Sequence, residues 1–367
     1  MLSFLNSTLS RYLTRIYILN FFGLLAILLG VVFLFDTIEL LRRAAKVDDV
    51  PASLVIKMSL LKLPEMATII APFAILFSAL YSFWQLAKRH ELVILRAAGV
   101  SVWQFLLPVT LSAMTAGFIM ITLINPLSAA FYSQYSSLER THLKREDTSI
   151  IAVFDQGLWL RQDMMDKGYA ILHAGNIDPD WRLRDVMVLS FGKDNLFRER
   201  LDAPSATLKR GYWLLKDAVH NAPGKTSSRS DAISIPTTLT AKDIEESFSS
   251  PQSMGFWMMP SFIRTLEATG FDSTRVRIHF QSLLSQPFLY AAMVLLAACV
   301  ALRQQRQGQS FTFVVIGVLT GFAIFLMSNF LQALGSSHQL PVFLAAWSPT
   351  LIATLFGTTI LLMLEDG

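Results

Sequence analysis

Charged residues vanish from six stretches of the chain, Ile16 to Phe35, Met66 to Ala87, Val102 to Ile124, Leu283 to Leu302, Phe311 to Leu334 and Val342 to Met363. Crossing about 30 Å of hydrocarbon takes roughly 20 apolar helical residues, so each stretch predicts a transmembrane helix. Three precede and three follow a polar insert from about Ser137 to Gln281. The insert changes period. Its short aromatic and β-branched runs, "AVFDQGLWLRQ", "YAILHAGNI", "LRDVMVLSF" and "ATLKRGYWLLKDAV", are parted by turn residues such as Asp166-Lys167-Gly168 and Asn221-Ala222-Pro223-Gly224. Such spacing predicts an all-β sandwich or jelly roll. A helical hairpin is expected next, with Ser261 as an N-cap, Gly270 as a stop, and Asp272 or Ser273 capping the helix that enters span four.

The expected organisation is therefore residues 1–136 with spans one to three and an amphipathic segment at about 86–99, a β domain at 137–260, and the hairpin with spans four to six at 261–367. An even number of spans puts both termini on one side. That side collects Arg11, Arg15, Lys88, Arg89, Arg96, Arg303 and Arg306, which predicts cytoplasmic termini and an external β domain. The first apolar run follows Arg11 and Arg15 as a signal peptide would, but it is long enough to span and reads as a retained anchor.

Composition narrows the function classes. The chain is 53% hydrophobic and 16% charged, with a formal net charge of +4. Basic residues beside spans are ordinary topogenic signals, so nucleic acid is not an expected partner. Cys299 is the only cysteine and rules out an internal disulfide. "GKT" at 224–226 lacks the glycine a phosphate loop needs at position 219, which is Val219, and "HEL" at 90–92 lacks the second zinc-protease histidine at position 94, which is Ile94. His142, His173, His220 and His279 read as ordinary surface or strand residues of the insert, with no metal expected. The apolar stretches hold no Asp, Glu, Lys or Arg for an intramembrane enzyme or proton carrier to use. Asn20, Gln85, Asn329 and Gln332 are their polar exceptions, read as interhelical hydrogen bonders. Prolines 64, 72 and 108 are candidate kinks.

Leu86 to Gly99 is amphipathic and ends in a glycine suited to a helix C-cap. It suits either an interfacial helix lying in the headgroup layer or a helix docked in the groove of a cytoplasmic partner.

"LAKRHELVILRAAGVSVWQ" resembles the loop between spans two and three of the LptF/LptG permeases, membrane subunits of the lipopolysaccharide export ABC transporter, where an "SELvvmqasG" type pattern marks a coupling helix. "DVPASLVIKMSLLKLPEMATIIAPFAILFSALY" is similar to the family's second span, "LEATGFDSTRVRIHFQSLLSQPF" to its approach to span four, and "LPVFLAAWSPTLIATLFGTTILL" to its last span. The likeness covers nearly the whole chain. "LAAWSP" through "LEDG" and "IELLRRA" resemble the LptG branch, whereas "PEMA" at 64–67 is closer to the LptF branch.

The resemblance implies three spans, an external jelly roll and three more spans in a Gram-negative inner membrane. It implies no cofactor and a non-catalytic role, with ATP hydrolysed on an LptB-type cytoplasmic dimer. Further implied partners are an LptF-type paralogue, an LptC-type single-span bridge protein and lipopolysaccharide, which enters beside spans one and five. Glu91 would make the charged contact with the ATPase, and Leu92, Leu95, Arg96 and Gly99 would complete the docking surface. Phosphorylated head groups favour several cationic donors, so Arg42, Arg43 and Lys46 after span one and Arg140, Lys144 and Arg145 after span three are the expected substrate residues. LptG-type members often carry lysine three residues before the aspartate that ends span one; Phe33 stands there in this chain. Outside this family, an intramembrane enzyme or a mechanotransmitting protein without lipid cargo are the competing classes.

Overall fold

The computed structural model describes residues 8–47, 50–143, 150–154, 157–164, 168–177, 182–192, 194, 196–237, 253–268, 272–303 and 310–365. It forms two compact units. One comprises Met1–Leu143, Gln252–Trp257 and Arg277–Gly367, and the other Lys144–Pro251 and Met258–Val276. Residues 253–257 thus belong with the long helices, and the helix after them belongs with the insert.

The first unit contains α1 (Thr8–Ala44), α2 (Ala52–Lys88), a short α3 (Glu91–Ala97), α4 (Val102–Ile119), a π-helical turn (Met120–Ile124), α5 (Asn125–His142), α8 (Ser310–Ser336), α9 (Val342–Glu365) and most of α7 (Thr274–Arg303). Six of these helical stretches among the described residues are long and apolar enough to cross a membrane, with α4, the π turn and α5 forming one of them. The helices outrun the apolar windows. At 1.5 Å per residue, the 37 residues of α1 or α2 reach about 55 Å, far more than hydrocarbon requires. The surplus lies at the insert end of α2, residues 52–65, and at both ends of α1, residues 8–15 and 36–44.

The core is made where small residues let helices approach. Leu13, Tyr17, Phe21 and Leu25 of α1, Ala71, Ala74, Ile75, Ala79 and Phe83 of α2, Phe105, Val109 and Ala113 of α4 and the alanine-rich stretch Ala292–Ala301 of α7 share one buried cluster. Contact between α4 and α7 is so close that a Cβ on Gly117 would meet the Pro287 Cα at 2.6 Å. Large apolar side chains point outward along the long helices, among them Phe22, Leu34, Leu123, Leu319 and Leu355. Outward apolar faces suit hydrocarbon and not water.

The second unit carries β1 (Ile150–Phe154), β2 (Gly157–Asp163), β3 (Tyr169–Ile177), β4 (Arg182–Phe191), β5 (Phe197–Lys209), β6 (Tyr212–Asn221) and β7 (Ser228–Pro236), followed by α6 (Met259–Ala268). The all-β insert is present. Its described strands pair antiparallel in strict chain order, β1 through β7, so they form a meander; the Greek-key crossovers expected of a jelly roll are absent among the described residues. Alternation selects one face: Leu158, Leu160, Leu172, Leu183, Val186, Val188, Leu201, Trp213, Leu215 and Ile235 pack into one core. The sheet curls. Buried Gln162 of β2 donates to the Pro236 carbonyl at 3.1 Å and accepts from the Thr237 hydroxyl at 2.7 Å, joining strands that are not neighbours in the ladder. "GKT" falls in the exposed β6–β7 turn, where Gly224 has φ +74. In the hairpin, Ser261 lies inside α6 and bonds back to the Met258 carbonyl, so it is no cap; Asp272 accepts from the Thr274 N–H at 2.9 Å at the start of α7.

Candidate functional site

The segment between α2 and α4 is built as a short framed helix. His90, with φ 58, ends α2 in a left-handed turn, and Gly99, with φ +80, ends α3 in another. Glycine adopts that conformation without the steric cost a Cβ brings, and the Val100 N–H reaches the Leu95 carbonyl at 3.1 Å to close the cap. One residue later the Ser101 hydroxyl accepts from the Gln104 N–H while the Gln104 side chain accepts from the Ser101 N–H, so α4 starts with a capping box. The single amphipathic segment expected over 86–99 is divided: α2 runs on to Lys88, and a separate seven-residue α3 follows.

Within α3 the expected residues divide. Leu92 is 1% exposed and belongs to the core of the helical unit with Leu86, Val102 and Phe105. It is therefore an anchor and not part of a docking surface. Ile94, at 65% exposure, and Val93 turn outward, with Ala97, Ala98 and Gly99 also exposed and Leu95 half-buried. The Arg96 side chain lies outside the described set. Glu91, half-buried at the first turn, accepts from the Tyr12 hydroxyl on both oxygens, at 3.0 and 3.2 Å, with Arg89 Nη1 at 3.9 Å. Tyr12 ties α3 to α1. Sequence reading missed it because the two residues stand 79 positions apart.

The insert ends of α1, α2 and α5 hold a second set of charges. Arg42 and Arg43 both bond Glu39, three and four residues behind them on α1, and Arg43 also lies 3.7 Å from Glu139 of α5. Both guanidiniums are exposed but already have a carboxylate, while Lys46 is exposed on the turn closing α1. Asp36 and Lys62 form an ion pair between α1 and α2, their side chains 12% and 20% exposed, with Lys62 also 5.1 Å from the centre of the Tyr135 ring. Glu65 lies half-buried one turn along α2. These groups escaped the window test by standing just beyond its edges. Arg140 lies on α5 with its side chain outside the described set, and Lys144 and Arg145 lie outside the described residues.

Between these two ends, α1, α2 and α8 line an open cavity of about 740 Å³, with Leu19, Leu24, Ile27, Phe77, Trp84 and Val318 among its wall residues. Its wall is almost wholly apolar. Asn20, the chief polar group, donates to the Ser82 hydroxyl on α2 at 2.8 Å, the interhelical bond expected of it; Asn329 instead bonds back within α8 to the Phe325 carbonyl. His279 corrects another expectation: it is half-buried in α7, and not on the surface of the insert, with its Nε2 closed off from solvent and without a hydrogen-bond partner. His173 lies tilted against the Trp159 ring, 4.4 Å between centres, and His220 pairs with Glu199, both on strands as expected.

A family model described as "Lipopolysaccharide export system permease LptF/LptG" matches residues 11–363. The chain belongs to the LptF/LptG family. Relatives bear one of its two names: the lipopolysaccharide export system permease protein LptG of Haemophilus influenzae is 23% identical over 355 residues, covering 94% of this chain and 96% of that protein. LptG of Escherichia coli is 22% identical over 300 residues, 80% of this chain and 81% of that protein. An LptF/LptG permease is a multi-pass inner-membrane subunit of an export transporter, which agrees with six spans, an inserted β unit and a largely apolar cavity.

Proposed function

We propose that this chain is the LptG-type permease subunit of a lipopolysaccharide export ABC transporter, with α3 as the element through which ATP hydrolysis on an LptB-type dimer acts on the lipid cavity. The observation that carries the reading is the two-faced geometry of α3. Its outer side presents Ile94 and the rim of Glu91, while Leu92 sits in the helical core. Force applied outside therefore reaches the ends of α2 and α4 together, and Tyr12 extends it to α1. Two of those helices, α1 and α2, wall the cavity. Closure of the ATPase dimer would narrow it and expel its occupant.

Termini on the ATPase side and the β unit on the opposite side follow from the basic loops, and an LptF-type paralogue completes the membrane pair. Acyl chains gain about 0.8 kcal/mol per buried methylene, so an apolar cavity wall avoids exposing them to water. At the rim, Lys46 is exposed on the turn that closes α1. It is the residue of choice for a phosphate, with Arg42 and Arg43 able to engage one by releasing Glu39. An LptC-type bridge protein would receive the lipid.

A photoreactive amino acid at Ile27, on the cavity wall, tests this in the assembled transporter with its paralogue and ATPase. The expected result is a lipopolysaccharide adduct that ATP diminishes, with little adduct from the outward position Leu355. Equal adducts from both positions, or none from Ile27, would overturn the cavity assignment.

A further inference from the structure

Residues 253–257 return from the insert to the end of span three, and local chemistry explains where they stop. Pro126 has no N–H, so the Thr122 carbonyl four residues earlier loses its ordinary helical donor. The Trp257 indole Nε1 reaches that carbonyl at 3.3 Å. Beside it the Phe256 backbone N–H donates to Asn125 Oδ1 at 2.7 Å, the Phe256 ring stacks on Phe280 of α7 at 5.2 Å, and Gly255 packs against Pro126. The π turn at 120–124 widens the helix at this point. Trp257 is thus held in a built socket.

Even so, Trp257 is 65% exposed. Its only hydrogen-bonding group is already used, so what it presents outward is apolar ring. Thr122 lies near the end of the apolar window, after which the helix carries Ser128, Ser133, Gln134, Ser136 and Ser137. The neighbouring outward residues Phe118, Leu123 and Leu127 continue the apolar surface that faces lipid. A fixed, exposed indole at the level where hydrocarbon gives way to head groups matches the position tryptophan favours in membranes.

We propose that Trp257 is an interfacial anchor that seats the returning chain in the headgroup layer of the bilayer on the side of the β insert. The proposal requires only that span three crosses the membrane and holds whichever lipid is transported. Its occupant is bilayer lipid, not the paralogous subunit.

The test uses the assembled transporter in vesicles containing phosphatidylcholine brominated at a shallow acyl position, a deep acyl position or not at all. The emission of Trp257 is isolated by subtracting the spectrum of Trp257→Phe from that of the wild type, since the chain holds seven tryptophans. The expected difference spectrum is blue-shifted and loses most of its intensity in the shallow-brominated lipid, while aqueous iodide leaves it largely intact. Quenching by iodide without quenching by lipid would overturn the proposal, and so would protection from both, which would place the paralogue over the ring. Should Trp257→Phe fail to assemble, Trp257→Tyr, which keeps a ring and a donor, replaces it in the subtraction.

Discussion

Leu92→Ala removes a side chain from the core of the helical unit, where large-to-small changes cost about 2 to 5 kcal/mol. It should lower the thermal midpoint and membrane yield of the complex, and whatever complex survives should still couple hydrolysis to lipid. Ile94→Ala, two residues on, faces outward and should leave the stability unchanged within about 0.5 kcal/mol while weakening ATPase association. Thermal unfolding beside pull-down of the ATPase separates the two. Tyr12→Phe deletes one exposed hydrogen bond to Glu91, worth roughly 1 kcal/mol at most, and frees the carboxylate. ATPase association should therefore stay within about 5-fold of the wild type, on the strong side. Some of this residue-scale detail was readable from the chain. Glu39 stands three and four positions before Arg42 and Arg43, the helical spacing of an ion pair, so their shared carboxylate was open to inspection. The inward turn of Leu92 was not, because an amphipathic segment with apolar residues at 92, 93, 94 and 95 does not say which of them meets the core.

Hydropathy located the six spans because charge-free runs of sufficient length leave few alternatives in a chain this apolar. It missed their full length, since polar extensions such as 36–44 and 52–65 look like loops when read one at a time. They are helix because α1 and α2 pack against each other past the apolar windows, around Leu40, Val55 and Met58 with Tyr135 of α5. The Asp36–Lys62 ion pair belongs to that junction, and a separation of 26 residues hid it. Breaking one partner of a poorly exposed pair strands the other, so Asp36→Asn or Lys62→Met alone should destabilise by up to about 3 kcal/mol. The double variant should recover most of that loss, which a double-mutant cycle on thermal unfolding would show. In the insert, strand runs and turns were legible from period and punctuation. Their pairing order was not, because an all-β sequence is compatible with a meander as readily as with a Greek key until tertiary bonds such as Gln162 to Pro236 are seen.

Across the whole molecule, no nucleotide-binding loop was recognised in the sequence, and the polar groups of its cavity are few. On the proposed reading the labour is divided: the permease supplies the lipid-handling surface and borrows its energy from a separate ATPase. That places the weight of the account on one connection, from an external ATPase through α3 to the helices that wall the cavity. The direct test is Glu91→Lys in the complete transporter, measuring assembly, lipopolysaccharide-stimulated ATP hydrolysis and lipid release together. The account predicts that the membrane pair still assembles while stimulated hydrolysis and release fall together, because the reversed charge repels its contact without disturbing the Leu92 anchor. Wild-type hydrolysis and release from a fully assembled Glu91→Lys complex would contradict it and leave α3 as an interfacial helix with no part in transmission.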